Sequence, residues 1–366
     1  MFETALEILN KIENQGYKAY IVGGYPRNKY LNLPTIDVDI ATSATPKQLK
    51  EIFKNINLPK EQYGSVVIIK NKIRFEITTF RKEIKYKDNR YPVKVKYITD
   101  LKEDLLRRDF TINTLCINRK GELIDLLKSK EDLDYKIIKA VGNPRLKIKE
   151  DSLRILRAIR FATILDFDLD NNLKKYIKKY GSLLKKLSFT RKKQELNKIF
   201  TSPNALKGIK LILELKLDRY LNLKNLNDIK LTTSALGIWA QLEGIEKYPF
   251  SNHEIEIIKK IKTLINQDVL NNYNLYYYGL YNSTIAGEIK GIDRKKIIKK
   301  YNDLPIKSSK EIVLKPKEIC HILETKPGPF LKEIKNDLEI KILNKEIVNK
   351  QSDLIKYVIN KYKTLK

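Results

Sequence analysis

Val22-Gly23-Gly24-Tyr25-Pro26-Arg27-Asn28 leads into Asp37-Val38-Asp39-Ile40-Ala41-Thr42, and the second stretch lies in an apolar run. On a strand, residues two apart share a face, so Asp37 and Asp39 are expected to present two carboxylates side by side. Like charges held that close repel unless a cation lies between them. Mg²⁺ suits such a place, because it takes one or two carboxylates together with substrate phosphates. The Gly-Gly step lets backbone N–H groups approach a phosphate. Taken alone, Asp-x-Asp fits an exposed strand edge better, and the rest of the chain has to decide.

Outward from this stretch, the apolar spacing of Ala5, Leu6, Leu9 and Ile12 predicts an amphipathic helix over 3–15. A short strand over 19–22 stops at the glycines, and a short helix begins at Pro26. Residues 35–41 read as the strand carrying both aspartates. Thr45-Pro46 opens a helix to residue 53. Strands over 65–70 and 73–80 flank Asn71-Lys72, a hairpin-like turn. Residues 82–92 are polar and read as a mobile loop, and 110–117 as a mixed apolar segment beginning on a helix. From about residue 130 strand signals nearly vanish, and Leu/Ile/Lys stretches of helical periodicity run on, broken at Pro203, Pro249, Pro305, Pro316 and Pro327-Gly328-Pro329. The expected fold is therefore α+β: a head with a small mixed sheet, then an all-helical remainder. The stretch 271–281 holds five tyrosines, which fit packed helix or a surface belt better than a base-stacking platform.

The bulk numbers agree with that division. The 366 residues leave room for two to four compact units, and 42% hydrophobic content suits a globular chain. There is no apolar run of about 18 residues to span a membrane. Met1-Phe2-Glu3-Thr4 is acidic and soon amphipathic, unlike a signal peptide. Cys116 and Cys320 lie far apart in the chain and suggest neither a disulfide framework nor a zinc site. A cytoplasmic protein is expected. The net charge of +29 argues for a polyanionic partner, most simply nucleic acid. Lysine accounts for most of it, so the 14 arginines among 73 basic residues are the more informative set. Arg27, Arg108, Arg154, Arg157 and Arg160 all fall in chemistry-bearing motifs, where planar bidentate donors are needed.

Two of those motifs lie downstream. In Arg107-Arg108-Asp109-Phe110-Thr111-Ile112-Asn113, adjacent guanidinium forks match triphosphate oxygens, and Asp109 is expected to orient a neighbour. A solvated salt-bridge patch is the plainer account. In Glu150-Asp151-Ser152-Leu153-Arg154-Ile155-Leu156-Arg157-Ala158-Ile159-Arg160-Phe161, the residues Ile155, Ala158, Ile159 and Ala162 make a buried helical stripe. Asp151, Arg154, Arg157 and Arg160 are then expected on the opposite side, where an ordinary solvated face with an i,i+3 pair would also suit them. A carboxylate beside a guanidinium offers acceptors next to donors. Cytosine and adenine both present an amino donor next to a ring-nitrogen acceptor on their Watson–Crick edges. Guanine and uracil present the opposite polarity and leave buried groups unpaired, at a cost of about 1–3 kcal/mol per group. Such a surface selects C and A without a template.

Together these motifs resemble the class II tRNA nucleotidyltransferases, the CCA-adding enzymes, in the form found in Bacillus-like bacteria. The family's Gly-Gly-x-Val-Arg-Asp and Asp-x-Asp correspond to 23–28 and 37–39, its Arg-Arg-Asp-Phe-Thr-x-Asn to 107–113, and its Glu-Asp-x-x-Arg-x-x-Arg-x-x-Arg-Phe to 150–161. Leu304-Pro305-Ile306-Lys307 and Lys326-Pro327-Gly328-Pro329-Phe330 resemble parts of its tail, so the likeness runs through essentially the whole chain. It implies a polymerase-β-like catalytic head over 1–135, a neck over 136–200, a body over 201–290 and a tRNA-binding tail over 291–366. It implies that Asp37 and Asp39 hold two Mg²⁺ ions, with Glu76 a possible third carboxylate. Gly24, Arg27 and Arg108 are then nucleotide contacts, Asp151 and Arg154 the readers of the base edge, and Arg157 and Arg160 the completion of the pocket. Residues 82–92 correspond to the family's flexible loop, with Asp88, Arg90 and Pro92 matching its pattern. Pro26 and Asn28 stand where the family has Val and Asp, and Thr190, before Arg191, stands where it usually has Glu.

The activity implied is template-independent addition of C, C and A to the tRNA 3′ end from CTP and ATP. Bacterial poly(A) polymerase, a partial CC- or A-adding enzyme, and a non-catalytic RNA-binding protein that kept the fold are the alternatives. A His-Asp phosphohydrolase domain is excluded by inventory, since His253 and His321 are the only histidines. No protein partner is implied.

Overall fold

The computed structural model describes residues 1–35, 37–53, 56–60, 64–87 and 91–363, of which 56–60, 85–87 and 91–94 are described by backbone alone. The chain divides into two compact units, Met1–Asn227 with Glu246–Pro249, and Asp228–Ile245 with Phe250–Lys366.

The first unit opens with α1 (Phe2–Glu13), β1 (Ala19–Val22), α2 (Gly24–Tyr30), β2 (Asp39–Thr42), α3 (Pro46–Ile52), β3 (Ile56–Lys60), β4 (Ser65–Lys70) and β5 (Ile73–Thr79). β6 (Arg81–Lys87), β7 (Tyr91–Tyr97), α4 (Leu101–Leu106), β8 (Cys116–Ile117) and β9 (Leu123–Ile124) follow. Seven strands form one mixed sheet in the order β3-β4-β5-β2-β1-β8-β9, and β2 and β5 are its parallel pair. Both faces are covered, which is why these strands read as apolar runs. Ile21, Ile40 and Ile77 pack with Ala5, Ile8, Leu9 and Ile12 of α1 on one face. Val22, Ala41 and Phe80 pack with Leu101 and Leu105 of α4 on the other. α3 starts from a reciprocal cap between Thr45 and Gln48. The β4–β5 turn holds Asn71 and Lys72 at φ of 52° and 61°, the left-handed values that suit a two-residue hairpin.

Three expectations change here. The aspartate strand is shorter than 35–41: β2 begins at Asp39, and Asp37 lies just before it in irregular chain. The predicted same-face strand pair is therefore not formed. Residues 82–92 do not form a loop along their described length. β6 and β7 pair antiparallel, from Arg81↔Tyr97 to Lys87↔Tyr91, and the Arg81 amide donates to Asp104 Oδ1 at 3.2 Å. Along β6 the alternate residues Arg81, Glu83, Lys85 and Lys87 are all charged while Ile84 and Tyr86 fall between them, and the overall polarity hid this period of two. Asp88 and Arg90 lie outside the described residues. Finally, 110–117 is a 3₁₀ turn at Thr111–Asn113 followed by β8, with no α-helix.

The helical part of this unit comprises α5 (Ser129–Asp134), α6 (Pro144–Glu150), α7 (Leu153–Leu165), α8 (Asn171–Tyr180), α9 (Phe189–Phe200), α10 (Ala205–Glu214) and α11 (Asp218–Leu221). Two short strands, β10 (Ile137–Ile138) and β11 (Asp168–Leu169), pair in parallel. α7 is the hub. Ile155, Ala158, Ile159 and Ala162 are fully buried as their spacing predicts, but Arg154 and Arg160 on its other side are buried too. The solvated face is not there, because α6, α9 and α10 pack around the helix.

The second unit is helical: α12 (Ala235–Gln241), α13 (Asn252–Leu264), α14 (Asn272–Lys290), α15 (Arg294–Asn302), α16 (Pro316–Ile322), α17 (Phe330–Leu343) and α18 (Gln351–Val358). Its core is almost wholly aliphatic, with Leu264, Ile297, Ile334, Leu338, Ile342 and Leu354 among its members. In α14 the helix is interrupted at Gly279 (φ 77°), and the tyrosines divide as a packed-and-belt reading requires: Tyr276 and Tyr278 pack on the core, while Tyr273, Tyr277 and Tyr281 are exposed. Among the described residues no helix is long and apolar enough to cross a membrane.

Candidate active site

A cleft of about 770 Å³ opens within the first unit. Its sheet side is formed by Val22, Gly23, Gly24, Arg27, Asp39, Glu76 and Thr78, its floor by Arg81, Glu83, Arg107, Arg108, Asp109 and Asn113, and its helical side by Asp151, Leu153, Arg154, Arg157, Phe161 and Arg191.

Asp39 stands at the first position of β2, in register with Val22 of β1 and Glu76 of β5. Neighbours in register project to one face, so the pairing brings two carboxylates together across parallel strands. The Asp39 carboxyl opens into the cleft, but protein surrounds it elsewhere. Its pKa is raised by that desolvation first and then by Glu76 and Asp37, with the Arg108 charge opposing. Gly23 (φ +77°) ends β1 beside it, and a Cβ there would lie 3.1 Å from Asp39 Oδ2. Only glycine takes that backbone and leaves that space. Asp37 is exposed and does not line the cleft, although its charge reaches Asp39.

The floor is a chain of charges. Asp104 accepts from Arg107 Nε at 2.8 Å and faces Arg108 NH2 at 3.3 Å, and Glu83 pairs with Arg81 and Arg107. Burial would push the Asp104 carboxyl up, but Arg107 and Arg108 outweigh it and hold the pKa below the ordinary value. Arg108 Nε is buried and has no partner among the described residues. A buried donor without an acceptor is costly, which makes this atom a natural point for a ligand oxygen.

Arg27 is buried in α2. Its Nε and NH2 donate to Asn28 Oδ1 at 2.9 and 2.8 Å, and NH1 donates to Asn113 Oδ1 at 2.6 Å. Both acceptors are neutral amides. Burial, aided by Arg160 and Arg157 and opposed by Asp109, brings its pKa down to about 10. Asn28 thus keeps the fork-accepting geometry of a carboxylate without its charge, while its Nδ2 ties α2 to the Pro34 carbonyl.

Asp109 is the neighbour-orienting residue, and its partner lies 48 positions on. It accepts from Arg157 Nε at 2.7 Å and NH2 at 2.5 Å, from Asn113 Nδ2 and from the Phe110 amide. Burial would raise its pKa, yet the Arg157 charge and these donors hold it well below the carboxylate range. Phe161 gathers three guanidiniums about its ring, those of Arg160, Arg157 and Arg27 at 4.4, 5.3 and 5.3 Å from the centroid. Asp109 and Glu195 neutralise two of them.

Asp151 and Arg154 both face the cleft, but not as a simple pair on one helix. Asp151 ends α6 and accepts from the Leu153 amide, so it sits in the link before α7. Arg154 NH1 donates to the Lys147 carbonyl and Glu150 Oε2, and its NH2 to the Arg107 carbonyl. Arg160 does not line the cleft. It pairs behind it with both Glu195 oxygens at 3.1 and 3.0 Å.

Of the residues singled out from the sequence, Gly24, Arg27, Asp39, Glu76, Arg108, Asp151, Arg154 and Arg157 therefore share one cavity, and Asp37 and Arg160 flank it. Arg81, Glu83, Asn113 and Arg191 were not recognised. Asn113 lay within a quoted motif, whereas Glu83 lay in the stretch read as a loop and Arg81 just before it.

Comparison with known proteins gives a consistent picture. Family models match at residues 19–139 (poly(A) polymerase head domain), 166–227 (probable RNA and SrmB-binding site of polymerase A) and 231–358 (tRNA nucleotidyltransferase domain 2). The chain is 36% identical to a CCA-adding enzyme of Limosilactobacillus reuteri, over 98% of this chain and 96% of that one. It is 35% identical to the CCA-adding enzyme of Ligilactobacillus salivarius, over 97% and 95%. Among solved structures it is similar to the Bacillus stearothermophilus CCA-adding enzyme in complex with CTP, with a TM-score of 0.88 at 26% identity, covering 100% of this chain and 98% of that one.

Proposed function

Because this chain belongs to the CCA-adding enzymes, a family of tRNA nucleotidyltransferases, we infer that it adds C, C and A in turn to the 3′ end of tRNA, using CTP and ATP. The observation that carries the reading is the single cleft that holds Asp39 and Glu76 on its sheet side and Asp151 and Arg154 on its helical side. Reaction chemistry and base choice have to meet in one place when no template is present.

Nucleotidyltransferases generally use divalent metal ions. The donor set here suits a hard cation, since Glu76 and Asp37 both act on the Asp39 carboxyl and all three offer only oxygen. Among the described residues, these carboxylates are not already gathered into a group of three that could hold an ion. Asp37 and Asp39 are proposed to hold two Mg²⁺ ions, with Glu76 as the third carboxylate. Bound there, a divalent ion lowers the pKa of the attacking hydroxyl and neutralises the leaving pyrophosphate.

The chain's own residues do the rest by positioning and charge. Gly23 and Gly24 let the backbone approach the triphosphate, and Arg27 and Arg108 supply donors, with Arg108 Nε free to take an oxygen. The tRNA 3′-oxygen bonds to the α-phosphorus of the nucleotide, the bond to the pyrophosphate oxygen breaks, and the hydroxyl proton is lost to water. Asp151 and Arg154 read the amino and ring-nitrogen edge shared by C and A. Glu150 and the Lys147 and Arg107 carbonyls hold Arg154 in one orientation for that task, and Asp109 does the same for Arg157. Arg160, fixed to Glu195, supports the wall from behind. The stretches 1–135, 136–200, 201–290 and 291–366 act as head, neck, body and tail, and basic surface on the helical parts holds the tRNA backbone by shape and phosphate contacts.

The test is direct. The purified chain is incubated with Mg²⁺, labelled CTP or ATP, and tRNAs ending before, within or after the last three nucleotides. Products that stop at CCA support the reading. Long A-tails favour a poly(A) polymerase, arrest after CC or addition of A alone favours a partial enzyme, and no incorporation even with Mn²⁺ favours a binding protein.

A further inference from the structure

Among the described residues six arginines besides Arg191 line the cleft, and five of them are committed to carboxylates. Arg81 pairs with Glu83, Arg107 and Arg108 with Asp104, Arg154 with Glu150 and Arg157 with Asp109. The sixth, Arg27, is buried between two amides. Arg191 differs from all of them. It is exposed, and among the described residues it pairs with no carboxylate; its guanidinium makes one hydrogen bond, NH1 to Gln194 Oε1 at 3.2 Å.

Nothing in the fold accounts for a cation at this position. Arg191 is the third residue of α9, where the partial positive charge of the helix start disfavours it. The acid one turn on, Glu195, would be its natural i,i+4 partner, but it is bound to Arg160. The preceding residue, Thr190, carries no charge. An arginine that is exposed, paired with no carboxylate among the described residues and set on the lining of a cleft is placed to meet an anion that arrives from outside.

We propose that Arg191 grips a backbone phosphate of the tRNA 3′-terminal strand and so positions the 3′-hydroxyl beside the incoming nucleotide. This rests on the nucleotidyl-transfer reading above. The entering strand is favoured over the nucleotide triphosphate because the triphosphate's donors, Gly23, Gly24 and the unpartnered Arg108 Nε, lie on the sheet side and floor with Asp39. Arg191 belongs to the helical side and is open to solvent, where a polynucleotide strand enters.

The experiment compares the full chain with Arg191→Ala, Arg191→Gln and Arg191→Lys, using Mg²⁺, CTP and a tRNA lacking its last three nucleotides. The neutral variants are expected to raise the KM for tRNA about tenfold, as loss of a charged hydrogen bond would, with the KM for CTP within about twofold of wild type. The lysine variant is expected to recover most of the loss. The slope of log affinity for tRNA against log salt should fall by about 0.7, the value for one phosphate contact on a single strand. A rise in the KM for CTP alone, an equal rise in both, an unchanged salt slope or no effect at all would overturn the assignment. A wild-type chain inert toward every tRNA would instead overturn the nucleotidyl-transfer reading, which separates the two failures.

Discussion

The cleft of the first unit and the core of the second are built from opposite materials. Around the cleft, Asp104, Asp109, Arg27, Arg154 and Arg160 are all buried or nearly so, and each is held by charge or hydrogen-bond partners. In the second unit, the core is Leu, Ile and Val around α13 to α18, and its buried polar residues, Asn282, Ser283 and Thr284, lie together on α14. Buried charge is expensive unless each ion is paired and hydrogen-bonded. A chain accepts that expense where groups must be held still for chemistry. Where only shape is needed, aliphatic packing serves at lower cost.

Four substitutions probe that contrast, from the largest effect down. Asp39→Ala is expected to lower nucleotide transfer at least about 10³-fold, the scale seen when a charge-stabilising group is removed from an active site. Filter binding of tRNA should hardly change; a parallel loss of tRNA binding would mean that the aspartate supports the fold rather than the reaction.

Arg157→Ala leaves Asp109 buried without its partner and is expected to cost about 3–5 kcal/mol of unfolding free energy, read by denaturant titration. The sign of its pH dependence follows from Asp109. Its folded-state pKa is depressed, so its contribution is present above the unfolded value of about 3.9 and is lost as pH falls below that toward the folded one. The gap between wild type and variant should therefore be wide at neutral pH and narrow below about pH 4.

Gly23→Ala forces a Cβ to within 3.1 Å of Asp39 Oδ2 at a φ of +77°. Strain of about 1–3 kcal/mol beside the carboxylate should lower kcat about tenfold to a hundredfold, with the overall melt shifted only slightly. A variant with wild-type kcat would mean that Asp39 does not need its present place.

Tyr277→Ala, on the exposed side of α14 in the second unit, should change stability by no more than about 0.5 kcal/mol. A larger loss would blur the contrast, because it would give surface aromatic residues a structural weight that the aliphatic core does not require.

Much of the cleft was legible from spacing. Gly23-Gly24, Asp39, Arg108, Asp151, Arg154 and Arg157 stood in short motifs whose chemistry could be named, and all of them line one cavity. What escaped notice has a physical explanation. Residues 82–92 read as a loop because their charge and the Asp88-Asn89-Arg90 stretch outweighed the period of two, so Glu83 and the neighbouring Arg81 drew no notice. The family likeness implied a pocket role for Arg160, yet three residues further along a helix means 300° of rotation and 4.5 Å of rise, enough to turn it toward Glu195. Arg191 could not be singled out, because being unpaired is a property of surroundings and not of a residue.

Composition and local order alone announce an α+β head, a helical remainder, a basic chain suited to a polyanion, and three motifs with carboxylates and guanidiniums at fixed spacings. They do so because side-chain periodicity and charge are local properties. Folding alone decided that Asp39 meets Glu76 across parallel strands, that Asp109 takes Arg157 from a helix 48 residues away, and that Arg154 is locked by Glu150 and two carbonyls. Those pairings depend on which distant segments share a low-dielectric space, and no local pattern encodes that.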